Sequence, residues 1–549
     1  MLDELTASSN LLCAAIERYS TACLAIQRSY ARGEKPHITT PQLSLRMDAE
    51  AEIAALLQLK LRETITAINW SKNHSNTRNT INNLPPEILG HIFRLVHRSQ
   101  PCAKRDYDTD DKTEPIYPAV LSLVCSRWRE IAFDIPTLWS HIDISTSTLL
   151  NRHRLSGLMQ RYLDRAGQLP LDLHIFDSPG YETSLRDPES IQKLVTQFAG
   201  RAFSLDLDAR HTFEYEIHNK SVSNFFQKCT PGKFTRLTLT QYDDHEFMKG
   251  CDSIGSVDDN FNGLLVDLPA EQFEDIMSHV SILRVNQMYP LWNSRAYHGL
   301  VELRLTGAQM HIGESELIDM IRASPDLRIF QFNLVIGNPL PVDSQITPIV
   351  MNNLEILNLT RMRSSQVGIL LRWLHPGSKP LQFAVTQTMW PDPSLLQLKE
   401  TNSMLFFLRA CVTKAYGGNS TFSLMAELLE LSPNLQVLAL GETVFKSWAS
   451  WGVSKLAPER RLKCVYMDKC SVNVEAILAL INYPGLTIQR FSFYACSFWR
   501  GGSWVPKDQT APHLEELARN HPGVSFTIQD VREPSPIESW DLFPSYDTA

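Results

Sequence analysis

Leu354-Glu355-Ile356-Leu357-Asn358-Leu359 places apolar residues at positions x, x+3 and x+5, and that spacing returns along the chain. It recurs at Leu300/Leu303/Leu305, Leu327/Phe330/Phe332, Leu435/Leu438/Leu440, Leu462/Val465/Met467 and Ile488/Phe491/Phe493. The starting positions 300, 327, 354, 435, 462 and 488 are separated by 27, 27, 81, 27 and 26 residues, and 81 is three times 27. The two missing registers fall at Leu381 and Leu408, where the pattern is degraded. Each unit reads as a short strand with one buried face. Helix-like runs precede three of these strands, at 316–323, 423–431 and 474–482, and stop near Pro325, Pro433 and Pro484. A proline removes an amide donor and disfavours helix in the residue before it. A unit of strand plus returning helix, repeated at this period, stacks its strands side by side in parallel.

Upstream, a second pattern opens with Leu84-Pro85-Pro86-Glu87-Ile88-Leu89, resumes at Leu121-Ser122-Leu123-Val124-Cys125-Ser126-Arg127-Trp128-Arg129-Glu130-Ile131-Ala132 and closes at Pro136-Thr137-Leu138-Trp139. Pro85 and Pro86 suit a helix entry, where an amide proton has no partner to lose, and Glu87 suits its positive end. Ile88, Leu89, Ile92, Phe93 and Val96 form one apolar stripe, and Leu121, Val124, Cys125, Trp128, Ile131 and Ala132 form another. A unit this small cannot bury all of these residues by itself, so part of the stripe is expected to face a partner.

The three ordered elements resemble an F-box, over roughly a tenth of the chain. The resemblance implies a three-helix docking module at 84–142, with an insert at 99–118 longer than a compact F-box allows. It further implies binding to the small adaptor subunit of SCF-type cullin–RING ubiquitin ligases, and through it to the cullin. Carried over residue by residue, the adaptor contacts fall on Leu84, Pro85, Ile88, Leu89, Ile92, Leu123, Val124 and Trp128.

From Leu169 onward the chain alternates apolar and polar residues in short runs, as in Leu205-Asp206-Leu207 and Phe234-Thr235-Arg236-Leu237-Thr238-Leu239. With the 27-residue period, this resembles the degenerate leucine-rich-repeat region of fungal F-box proteins. The implied fold class is α/β: N-terminal helices and the F-box, then a leucine-rich-repeat-like solenoid with a parallel curved sheet over 165–531 and a tail at 532–549. Side chains between the apolar positions of such a sheet share one surface. Arg328, Glu355, Gln436 and Lys463 are the residues expected to meet a protein substrate there, and their mixed polarity argues against a single charged ligand.

Residues 1–70 carry two apolar stripes, one from Leu12 to Tyr30 and one from Ile53 to Ile68, split at 33–41. They can pair as a hairpin or as an intermolecular coiled coil; the hairpin is favoured because neither stripe sustains three clean heptads. Residues 71–83 are Asn-rich and read as a linker.

Of the 549 residues, 43% are hydrophobic and 20% charged, an ordinary globular composition. A net charge of −8 gives no global basic field to attract nucleic acid. No apolar run reaches the roughly 18 residues of a membrane span, and the Met1-Leu2-Asp3-Glu4 start lacks a signal peptide's basic region. Ten cysteines without a CxxC pair read as reduced, which places the chain in cytosol or nucleus.

No catalytic constellation is visible. Gly417-Gly418 and Gly501-Gly502 lack the Lys and Ser/Thr of a phosphate loop. Asp106, Asp108 and Asp110 imitate the start of a calcium loop, but Asp111 and Tyr117 stand where Gly and Glu are required. Asp243, Asp244, His245 and Glu246 are adjacent in sequence and so poorly placed to converge on a metal. Trp499, Trp504 and Trp540 are candidates for binding roles. The expectation is a substrate receptor with no catalytic residues, metal or cofactor. The alternative is a repeat scaffold that binds the adaptor without sending anything for degradation.

Overall fold

The computed structural model describes residues 2–32, 40–73, 80–99, 118–146, 156–177, 188–209, 215–241, 246–251, 263–307, 309–341, 344–362, 364–386, 398, 401–419, 422–445, 459–530, 535–540 and 542. Most of the insert at 99–118, most of the acidic run at 243–246 and the break at 33–39 lie outside them. The chain divides into two compact units, Met1–Ile92 and Phe93–Ala549.

The first unit holds two long helices, α1 (Leu2–Ala31) and α2 (Thr40–Asn73). Tyr19 Oη donates to Glu50 Oε2 at 2.9 Å and ties one to the other. Their apolar stripes remain largely open; Leu11 is 73% exposed and Leu56 60%. The Asn-rich segment at 71–83 is helical at both ends, α2 running through Asn73 and a 3-10 turn spanning Thr80–Asn83. The next helix, α3 (Pro86–Ser99), runs through the boundary between the units.

The second unit continues with α4 (Ala119–Val124) and α5 (Ser126–Phe133). Fourteen strands among the described residues then form one sheet. They are β1 (His141–Ser145), β2 (Leu171–Phe176), β3 (Ala202–Ala209), β4 (Arg236–Gln241), β5 (Ile282–Asn286), β6 (Glu302–Thr306) and β7 (Ile329–Phe332). After these come β8 (Ile356–Leu359), β9 (Leu381–Thr386), β10 (Val412–Gly418), β11 (Val437–Gly441), β12 (Cys464–Asp468), β13 (Arg490–Tyr494) and β14 (Ser525–Gln529). Spatial order follows chain order and every pairing is parallel. The fold is therefore mixed α/β, with N-terminal helices and a large parallel sheet.

Apolar side chains hold the register. Leu303 stands opposite Phe330, which stands opposite Leu357. Further along, Leu438 pairs with Val465, and Val465 with Phe491. All eighteen residues of the x, x+3, x+5 pattern are at most 4% exposed. Because strand side chains alternate, the residues between them face the other side of the sheet. Helices at Glu314–Ala323, Phe422–Leu431 and Val474–Ile481 precede strands as their prolines predicted.

The two degraded registers depart from the expected period. Leu381 opens β9, but Phe383 aligns with Leu357, one residue earlier than a strict 27-residue repeat would give. A one-residue slip exchanges the two faces, so Phe383 and Val385 join the apolar row there and Ala384, also buried, turns to the opposite face. Leu408 is not in a strand at all: it lies in the helix Thr401–Arg409 and is 80% exposed. The strand of that unit is β10, whose Ala415 pairs with Phe383. Of the segment 532–549, only 535–540 and 542 lie among the described residues, and there Ile537, Trp540 and Leu542 are buried in a cluster with Ala384, Tyr416 and Ala439 and so do not hang free as a tail.

Candidate functional site

Helix α3 starts where the two prolines place it, with the Pro85 carbonyl accepting from the amides of Ile88 and Leu89. In the first unit Ile88 is 48% exposed, Pro85 is exposed, Leu84 and Ile92 are half-buried, and Leu89 is fully buried. Leu89 is therefore packed against the protein's own interior.

In the second unit α4 and α5 are joined tightly. The Cys125 sulfur caps α5 by accepting from the Trp128 amide at 3.5 Å, and Arg129 Nε donates back to the Ser122 carbonyl at 2.9 Å. Trp128 is half-buried, its ring 4.9 Å from that of Phe93. Trp139 is fully buried and donates from Nε1 to the Ala132 carbonyl at 2.8 Å. Arg165 belongs to the helix Ser156–Ala166. Its guanidinium lies 3.8 Å from the ring centre of Phe133 and 4.2 Å from that of Trp139, which ties α5 and the Pro136–Trp139 turn to that helix. This packing leaves Leu123 70% and Val124 54% exposed, side by side at the end of α4. Isolated exposed leucines are ordinary; here two adjacent apolar residues at a fixed helix junction make a small exposed apolar patch.

Residues 81–145 match the F-box-like family. No curated protein matches the chain. The F-box-like segment thus runs from the turn before α3 to the end of β1, and it contains all eight residues that the sequence assigned to adaptor contact.

The residues expected to meet a substrate are placed differently from the expectation. Arg328, Glu355, Gln436 and Lys463 each precede the first residue of their strand by one position, at the sheet's entry edge. Arg328 and Glu355 pair with each other at 2.8 Å, and Lys379 joins the carboxylate at 3.3 Å. Exchanging their charges would rebuild the pair, so single reversals are the informative substitutions. The polar face itself carries Gln331, Asn358, Tyr416 and Tyr466, because these alternate with the buried positions.

One cluster was missed in the sequence. His141-Ile142-Asp143 on β1 pairs in register with Asp172-Leu173-His174 on β2, so each histidine faces an aspartate across the strands. His141 Nδ1 lies 3.1 Å from Asp172, its Nε2 2.9 Å from Asp143, and His174 Nδ1 3.0 Å from the same Asp143 oxygen. With carboxylates at both ring nitrogens, only imidazolium at His141 supplies both donors. Atoms of His141, Asp143 and His174 lie within 4.8 Å of one another, a donor set that could hold a divalent transition ion. The spacings between them are equally those of hydrogen bonds, which satisfy the groups without an ion. The sequence signal was the inverted His-x-Asp and Asp-x-His pair, visible only once the two strands are aligned.

Burial opposes ionisation of Asp172, but hydrogen bonding and charge from His141, aided by Ser204 and Arg236, hold its carboxyl down at about 2. Burial acts the same way on Asp143, whose carboxyl His141 and His174 hold well below the usual carboxylate range. A folded value below the unfolded one of about 3.9 means stability present above pH ~4 and lost as pH falls toward 2. With the Asp172 side chain 32% exposed, solvent screening limits its share to at most about 2 kcal/mol. Acid titration of urea stability should show this loss in the wild type, and His141→Gln should flatten it. An unchanged acid limb in that variant would exclude the cluster as its source.

Proposed function

We propose that the chain is the substrate-receptor subunit of an SCF-type ubiquitin ligase. The observation that carries this reading is the F-box-like match on a segment whose Ile88, Leu123 and Val124 are exposed on well-formed helices. In this reading these residues, with Leu84, Pro85, Ile92 and Trp128, dock the small adaptor, and the adaptor links the chain to the cullin. The sheet domain holds a protein substrate. The mechanism is proximity: tethering raises the substrate's effective concentration at the transferring subunit, and the bond-making chemistry belongs to other subunits. The chain itself is then not an enzyme.

We read the sheet domain as a degenerate leucine-rich-repeat solenoid. Its support is the 27-residue spacing, the parallel strands in chain order, and a recurrent turn. Arg361, Asn419, Glu442, Lys469 and Ala495 all adopt positive φ just after β8, β10, β11, β12 and β13, a conformation uncommon outside glycine. Backbone amides tie one turn to the next, Glu442 to the Asp468 carbonyl and Lys469 to that of Tyr494. Cytosol or nucleus is the proposed compartment; the nine cysteines among the described residues are all free thiols. No helix among the described residues is long and apolar enough to cross a membrane.

The adaptor reading is tested by Leu123→Glu/Val124→Glu. Both side chains are exposed, so circular dichroism and melting should stay close to wild type. Capture of the purified adaptor should fall at least about 100-fold, the usual loss when central apolar contacts become charged. Trp128→Ala should lower both folding and capture, because its ring supports the junction. Adaptor binding at wild-type strength by the double variant would defeat the proposal.

A further inference from the structure

The polar face of the sheet is already occupied across β8–β12. Ser535 Oγ donates to Asp468 Oδ1 on β12 at 3.1 Å. Trp540 meets the Tyr466 ring edge-on at 6.2 Å, with the Lys414 ammonium 5.4 Å from its own ring centre. Gln382 Nε2 on β9 donates to the Trp540 carbonyl, and Asn358 Nδ2 on β8 donates to the Leu542 carbonyl at 3.2 Å. Residues 535–540 and Leu542 therefore reach over five strands, about 19 Å at the usual strand spacing, with a 3-10 turn at Glu538–Trp540 whose Trp540 amide donates to the Ile537 carbonyl at 2.9 Å.

The surface beneath is built for such a guest. Where other strands carry bulk or charge, Ala384 and Ala439 leave a shallow cradle, and Gly441 leaves room for the Tyr416 ring, whose hydroxyl a Cβ there would strike. Ile537, Trp540 and Leu542 fill the cradle and are 2%, 5% and 2% exposed, while Glu538 and Ser539 between them face outward. The two side-chain amides bond main-chain carbonyls two residues apart at the end of the 3-10 turn, contacts that do not depend on the identity of the guest's side chains. Recognition of the side chains is left to the apolar and aromatic pockets. The segment adds no strand to the sheet and is attached by contacts that another chain could make equally well.

We propose that this face is a recognition surface for a protein segment of the form aliphatic-x-x-Trp-x-aliphatic, with the aliphatic-x-x-Trp part in a 3-10 turn, and that residues 535–540 with Leu542 occupy it as an internal competitor. The inference stands on the sheet face alone and is independent of adaptor docking. A tethered competitor acts at an effective concentration of about millimolar, so an external segment must bind correspondingly more tightly or find the tether weakened.

The test uses the full chain and a fluorescein-labelled peptide of the sequence Ser-Pro-Ile-Glu-Ser-Trp-Asp-Leu, copied from 535–542. In anisotropy titrations Trp540→Ala should bind this peptide at least tenfold more tightly than wild type, because the internal competitor is weakened. Ala439→Arg added to Trp540→Ala should remove the binding by filling the cradle. Equal peptide binding by wild type and Trp540→Ala, or no binding by either, would overturn the proposal. If Trp540→Ala loses its folded circular-dichroism signal, Leu542→Ser makes the same comparison with a smaller truncation. Unfolding of both variants would also overturn it, since the segment would then be part of the core and not a guest.

Discussion

Leu357→Asp should not yield folded, soluble protein. Leu357 is fully buried on β8, with Phe330 of β7 on one side and Phe383 of β9 on the other in the same row. No basic side chain in that apolar row could pair with the new carboxylate. The aspartate must then be buried as an ion, be buried protonated with its donor and acceptors unmet, or drag β8 out of register. Each route costs more than about 4 kcal/mol, a large part of the 5–15 kcal/mol that holds a typical domain together. Parallel strands compound the loss, because each central strand supplies both edges on which its neighbours pair. Leu357→Met keeps volume and polarity and should cost less than about 1.5 kcal/mol. The soluble fraction after expression and the thermal melt of the two variants decide the matter; a cooperative melt near wild type for Leu357→Asp would refute the assignment of this row to the core.

Arg372→Ala should be the most damaging of the charge deletions. Glu314, first residue of the helix Glu314–Ala323, has a side chain 1% exposed, and that of Arg372 is 4% exposed. The Glu314 carboxylate accepts from Arg372 Nε at 3.1 Å and again from its Nη2, from the Trp373 indole, and from the Leu340 amide. One carboxylate thus ties a helix start to two distant segments. Removing the arginine leaves a buried anion with its counter-charge gone, a change that typically costs about 3–5 kcal/mol. Removing the charge from both partners should cost less, because no unpaired ion remains. Urea unfolding should therefore rank Glu314→Gln/Arg372→Met above Arg372→Ala in stability, with similar m-values. The opposite ranking would mean that the arginine matters through its packing and not through its charge.

Both residues show what a linear reading can reach. Leu357 was legible because the apolar row repeats every 27 residues, and a strand's period of two turns that row to one face. Glu314 and Arg372 were not, since they lie 58 residues apart and each looks alone like a solvated surface charge. The F-box-like segment was legible for the same reason as the strands: Leu84-Pro85-Pro86, Trp128 and Pro136 to Trp139 are local signals with local causes. Exposure was not. That Leu89 turns inward while Leu123 and Val124 turn outward depends on the packing around each helix, which no local signal records.

The sequence by itself determined the elements and their neighbours: a Pro-Pro helix entry, helices ended by prolines, and strands whose apolar rows pair in chain order. It determined these because helix capping, side-chain alternation and proline stereochemistry act over a few residues. Tertiary structure alone decided the rest. It moved Phe383 into the row that a strict repeat would have given to Ala384, made a His–Asp network from two strands that are 31 residues apart, and folded residues 535–540 and Leu542 back over strands that precede them by as many as 184 residues. Those outcomes depend on the fit of distant surfaces, and no short stretch of sequence encodes the shape of the surface it will meet.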